Sequence, residues 1–195
     1  ALNDGKMYLA GAGTQTAGIA MGGGDPSPSQ RFAQTELYNG SNWTEVNDLG
    51  TARSGLASAS AGTQTASLAI GGETPTASVA VTESWNGTNW TEVNDLNAAR
   101  YILKGAGTQP AALVFGGTPA SNTTETWNGT NWTEVNNLNL GRQHHGGFGA
   151  TNTAAIAFGG ESSYPPYDNE TELWNGTNWT EVNNLNAEKA YLGGF

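Results

Sequence analysis

Trp85-Asn-Gly-Thr-Asn-Trp90-Thr-Glu-Val93 is written four times in this chain: as Tyr38-Asn-Gly-Ser-Asn-Trp43, as quoted, from Trp127 to Trp132, and from Trp174 to Trp179. An aromatic residue, Asn-Gly and a second aromatic amid β-branched residues form a hairpin signal, since Asn-Gly tolerates the positive φ of a tight turn. Four copies of one hairpin imply one supersecondary unit stacked on itself.

The second Trp recurs at intervals of 47, 42 and 47 residues. That period matches a four-stranded propeller blade and exceeds a leucine-rich or ankyrin unit. Working outward from Trp85, the unit reads as four strands. Strand A is the small-residue run Ser54 to Ser60, and B is Ser67-Leu-Ala-Ile70 ending at Gly71-Gly72. C runs through Val79 to Trp85, and D covers Asn89 to Val93. The shorter third interval arises after Gly-Gly, where Gly117 to Asn122 is brief, so that segment reads as a surface loop. Strand A is rich in Ala and Gly in every unit, which fits crowding at an axis, with the Trp-bearing C and D strands outermost. The expectation is an all-β propeller of four-stranded antiparallel blades with almost no helix. Blades are placed at about 1–47, 48–94, 95–136 and 137–184. The remainder, Leu185-Asn-Ala-Glu-Lys-Ala-Tyr-Leu, repeats the opening Leu2-Asn-Asp-Gly-Lys-Met-Tyr-Leu and reads as one spare inner strand. Three roles are open to it: the start of a further blade, a joint to another subunit, or a replacement for the N-terminal copy.

The chain is 36% apolar with 28 Gly and 7 Trp, enough for a core of small residues and aromatics. It has no Cys, which removes disulfides, thiolate metal sites and cysteine nucleophiles. No cofactor is implied. A net charge of −10 disfavours nucleic acid and anionic lipid as partners, and no apolar run of spanning length appears. The first residue is not Met and no signal peptide is visible, so the chain is expected to be processed or cut from something longer.

Five of the seven basic residues, Lys6, Arg53, Arg100, Arg142 and Lys189, hold the same repeat position. They form either a ring of anion ligands at the channel mouth or a set of fold-bearing ion pairs. With Gly71-Gly72, Trp85 and Trp90 following Arg53, and the same order after Arg100 and Arg142, the chain resembles the kelch-repeat propellers. The aromatic pair here is five residues apart where kelch spacing is usually seven. The near-identity of the units is similar to kelch-like proteins of marine phages and environmental bacteria. That resemblance implies a binding or structural module, virion-associated or extracellular, attaching to a host glycan or a protein surface.

The A-to-B loops and the Asn-Gly turns scarcely vary between units, whereas the opposite face differs in length and composition. A ligand is therefore expected on that face, contacted by Tyr8, Tyr101, His144, His145, Tyr164 and Tyr167 and by Arg53, Arg100 and Arg142. His144-His145 has no acidic neighbour at metal spacing, so no metal site is assigned. The alternative is a sialidase-like glycoside hydrolase, which needs three arginines meeting beside a tyrosine and a carboxylate. Gly40-Ser-Asn-Trp43 is only partly similar to a sialidase Asp-box, because Tyr38 stands at the Asp position.

Overall fold

A computed structural model describes residues 2, 5–25, 30–119, 121–162 and 167–193. Sixteen strands form four antiparallel sheets of four, each in sequence order. Blade 1 comprises β1 (Ala10–Thr14), β2 (Ala17–Met21), β3 (Thr35–Tyr38) and β4 (Trp43–Glu45). Blade 2 has β5 (Ala57–Ser58), β6 (Ser67–Ile70), β7 (Thr82–Trp85) and β8 (Trp90–Val93). Blade 3 has β9 (Lys104–Thr108), β10 (Ala111–Phe115), β11 (Thr124–Trp127) and β12 (Trp132–Val135). Blade 4 has β13 (Gly146–Thr151), β14 (Ala154–Gly160), β15 (Asp168–Trp174) and β16 (Trp179–Val182). The fold is a β-propeller of four blades, and no helix occurs among the described residues.

The innermost strands line a central channel of about 340 Å³, where backbone and small side chains from Ala10, Ala57, Gly105 and Gly147 face one another. A methyl group at Gly105 would collide with the carbonyl of Ser58 in the preceding blade, so the small residues are a steric requirement. Outward, the aromatics seal the wedges. Trp85, Trp127 and Trp174 are at most 4% exposed, and each donates its indole N–H to an A-to-B loop carbonyl of its own blade, Gln64, Gln109 or Asn152. Complete burial of such side chains is worth roughly 1.5–3 kcal/mol each.

The outer hairpin departs from the expected two-residue turn. The ladder closes at Tyr38↔Trp43 and its three counterparts, leaving a four-residue loop, Asn39 to Asn42 in blade 1. Only the Gly is left-handed, with Gly40, Gly87, Gly129 and Gly176 at φ of 90–92°. The Asn stays out of that region because its side chain has another task. Asn39 Oδ1 accepts from the N–H groups of Ser41 and Asn42, both at 2.9 Å, and Asn86, Asn128 and Asn175 do the same.

In the four blades the recurring basic residue is a fold residue, whereas Lys189 is exposed. Lys6–Glu36, Arg53–Glu83, Arg100–Glu125 and Arg142–Glu172 pair at 2.6–3.0 Å, each joining the approach to strand A with strand C of the same blade. The same glutamates accept backbone N–H groups, as Glu83 does from Gly50 at 2.7 Å and Glu172 from Asn139 at 2.8 Å. A buried ion pair is tolerated only when its remaining valences are satisfied in this way.

Candidate binding site at the channel mouth

Two residues after each basic residue the backbone turns left-handed: at Tyr8 (φ 55°), Gly55 (63°), Ile102 (57°), His144 (51°) and Tyr191 (59°). Across from it, strand B ends in a Gly-Gly pair that is itself left-handed, as at Gly22 (63°) and Gly23 (102°), so both strands leave the ladder together. Pairing resumes in the same register beyond this break through single bridges, Met7↔Gly24, Ser54↔Glu73, Tyr101↔Thr118 and Gln143↔Glu161. For a residue with a side chain this conformation costs roughly 1–2 kcal/mol. Glycine, which escapes the cost, is used once in five.

Hydrogen bonds link the left-handed residues around the mouth in two separate runs, Tyr8 to Ile102 and His144 to the tail. The Tyr8 carbonyl accepts from Gly55 N–H at 2.8 Å, the Gly55 carbonyl from Ile102 N–H at 2.6 Å, and the His144 carbonyl from Leu192 N–H at 3.1 Å. Their side chains are therefore held side by side at one end of the channel. Tyr8 and Tyr191 are 48% and 59% exposed, although aromatic area is ordinarily buried. The His144 and Tyr191 rings lie 4.2 Å apart, and Tyr167 meets Tyr191 edge-on at 6.5 Å. A partly exposed aromatic cluster thus caps the blade 4 side. On the blade 1 side, Met7, Tyr8, Arg31 and Glu73 border a groove of about 180 Å³, with Arg31 Nη2 and Glu73 Oε1 2.6 Å apart.

The site residues expected from sequence separate into three groups. Tyr8, His144 and Tyr167 lie at the mouth, with Tyr101 half-buried behind Gly55, its Cδ2 3.2 Å from where a Cβ would stand. Arg53, Arg100, Arg142 and His145 are buried instead. The guanidiniums are committed to their glutamates, and burial lowers the pKa of Arg53 and Arg100 against the opposing pull of Glu83 and Glu125. Their charged ends therefore point to these glutamates and away from the mouth. His145 packs on Phe115 with ring centroids 5.8 Å apart, and burial pushes it well below the usual histidine range, so it is neutral core. Tyr164 lies outside the described residues.

His144 is shifted downward by burial, with Glu161, whose Oε1 is 3.7 Å from Nε2, opposing the shift. Glu161 Oε1 also accepts from Gln143 Nε2 at 2.9 Å, and Thr118 Oγ1 donates to Gln143 Oε1 at 2.5 Å. This polar chain fixes the His144 side of the mouth. Among the described residues no group of three His, Cys, Asp or Glu side chains is placed to hold a metal ion.

Ile102 and Tyr191 at the mouth and Lys104 in the channel were not among the residues expected there. Lys104 stands in strand A at the register of Ala10, Ala57 and Gly146 and lines the channel. It has no acceptor or carboxylate partner among the described residues, and burial lowers its pKa. A charge among small residues was the visible signal, and the repeat alignment displays it. No protein-family model matches this chain, and no curated protein matches it.

Proposed function

We propose that the chain is a binding module that takes its ligand at the channel mouth, through the left-handed ring and the aromatic cluster beside it. The observation that carries this reading is the retention of side chains at Tyr8, Ile102, His144 and Tyr191, where glycine would relieve strain. Backbone strain persists where the surrounding structure enforces it and clusters at functional sites. The exposed faces of Tyr8, Tyr167 and Tyr191 fit the flat apolar faces of sugar rings, with the Arg31–Glu73 and Gln143–Glu161 pairs beside them to meet hydroxyl groups. A glycan ligand on this face agrees with the kelch-like and phage-like resemblance, under which the protein acts in attachment, outside the cell or on a virion.

The glycosidase alternative requires Arg53, Arg100 and Arg142 to meet around one substrate. Each is instead paired with a glutamate of its own blade, so the glycan-binding reading is preferred. A glycan array probed with the wild type and with Tyr8→Gly and Tyr191→Gly tests it. The expected result is binding to a restricted glycan set that both substitutions reduce. No binding by the wild type, or binding that both substitutions leave intact, contradicts it.

A further inference from the structure

Four blades in a closed ring have four interfaces, yet among the described residues the buried apolar side chains form three clusters, between blades 1 and 2, 2 and 3, and 3 and 4. The face of blade 4 that points away from blade 3 carries Ile156, Phe158 and Leu173. The corresponding Ile19 and Met21, Leu68 and Ile70, and Leu113 and Phe115 are all at most 2% exposed. Leu173 is 43% exposed, and with Ile156 and Phe148 it lines a cleft of about 620 Å³.

The hydrogen bonds at the three formed interfaces specify what fits this face. At each one, the indole of the strand D Trp donates to a Thr of the preceding blade: Trp90 to Thr35, Trp132 to Thr82 and Trp179 to Thr124, at 2.8–3.1 Å. The next member of the series is Thr171, whose buried Oγ1 has no partner. Among the described residues the first Trp of the series, Trp43, meets no such Thr. A second series runs the other way. Asn47, Asn94 and Asn136 each donate to the hairpin loop of the following blade, at 2.7–3.0 Å, and among the described residues Asn183 and the Asn42 loop lack the matching partner. In a third, Gln64 and Gln109 donate to the Tyr38 and Trp85 carbonyls of the preceding blade, and the equivalent Gln15 is exposed.

Every bond missing at the free face of blade 4 has its complement on the free face of blade 1. We infer that blade 4 of one molecule docks onto blade 1 of a second copy, head to tail, with Trp43 Nε1 of the second copy donating to Thr171 Oγ1 of the first. A buried acceptor left unmatched costs roughly 1–3 kcal/mol, which the contact recovers while covering Leu173. The tail already occupies one part of this edge. Lys189 O accepts from Gly160 N–H at 2.7 Å, as Arg53 O does from Gly23 N–H at 2.9 Å. Lys6 to Leu9 of the arriving copy correspond to Lys189 to Leu192, so docking exchanges one segment for the other. The contact joins two different faces, and it therefore either closes into a ring or runs on.

Sedimentation velocity from micromolar to near-millimolar concentration tests this with the whole chain. The wild type is expected to rise in mass above the 20.2 kDa of one chain as concentration increases. Leu173→Arg and Trp43→Arg each weaken self-association by at least about tenfold. Mixed together they form a one-to-one complex and nothing larger, because each keeps the face that the other lacks. If Trp43→Arg loses the wild-type circular dichroism, Gln15→Arg on the same exposed face replaces it. A single-chain mass at every concentration, association that both substitutions leave intact, or two monomeric variants that do not combine would each overturn the inference.

Discussion

The two ends of this propeller make the same demand on the backbone and meet it with different residues. In the outer hairpin each blade needs one left-handed residue, and Gly40, Gly87, Gly129 and Gly176 supply it without exception. At the channel mouth strand B ends in left-handed Gly-Gly pairs, but the left-handed position facing them before strand A is glycine only at Gly55, the rest being Tyr8, Ile102, His144 and Tyr191. The hairpin end is built for economy of folding. At the mouth, conformational strain is accepted so that a side chain remains, and the side chains differ from blade to blade.

The largest effect expected belongs to neither end but to the trunk that holds them apart. Glu83→Ala strands the buried guanidinium of Arg53 and is expected to cost about 3–5 kcal/mol, read by urea unfolding. A loss below 1 kcal/mol would show that the pair does not hold strand A to strand C.

Glycine exchange at the two ends sharpens the contrast itself. Gly87→Ala meets nothing closer than 3.5 Å, so its cost is conformational and should be about 1–2 kcal/mol. Tyr8→Gly should do the reverse and raise stability by up to about 1 kcal/mol, since the side chain is half exposed and the φ is relieved. Thermal melts with the same sign for both substitutions would break the comparison.

Lys104→Met is expected to stabilise by about 1 kcal/mol, because it removes a charge that burial disfavours and no partner offsets. A destabilised variant would show that the ammonium has a partner in solution.

The smallest effect is one of pH. His145 is held neutral in the fold, so the unfolded chain binds the extra proton once pH falls below the ordinary histidine value of 6.5. Its contribution is complete above that value and is lost progressively as pH drops toward the depressed folded pKa. His145→Phe should flatten the stability profile below pH 6.5, and an unchanged slope would assign the dependence to other groups.

Most of the fold was legible because a repeated unit shows its strands by comparison with itself. Where Trp85, Trp127 and Trp174 coincide and Ala-Gly runs coincide, outer and inner strands separate without any long-range information. The turn was less legible. Asn-Gly announces a reversal, but that the Asn39 side chain caps two N–H groups instead of entering the left-handed region is a matter of loop length. At the site, exposure of Tyr8 and Tyr167 followed from their place in variable segments. The burial of Arg53, Arg100 and Arg142 hinged on Glu83, Glu125 and Glu172, which stand 25 to 30 residues away on strand C. The left-handed conformation of Ile102 and Tyr191 carries no signal of its own in sequence, since β-branched and aromatic residues normally avoid it. Only Gly55, aligned with Tyr8, Ile102 and His144, hints at what the backbone does there.

We propose that the strained side chains at the mouth are kept for a ligand. Calorimetric titration of the strongest array glycan into the wild type and Tyr191→Gly, at equal folded fraction, tests it most directly. The account predicts at least about tenfold weaker binding by Tyr191→Gly, the loss of one stacking surface. Equal affinity for the two proteins would contradict it.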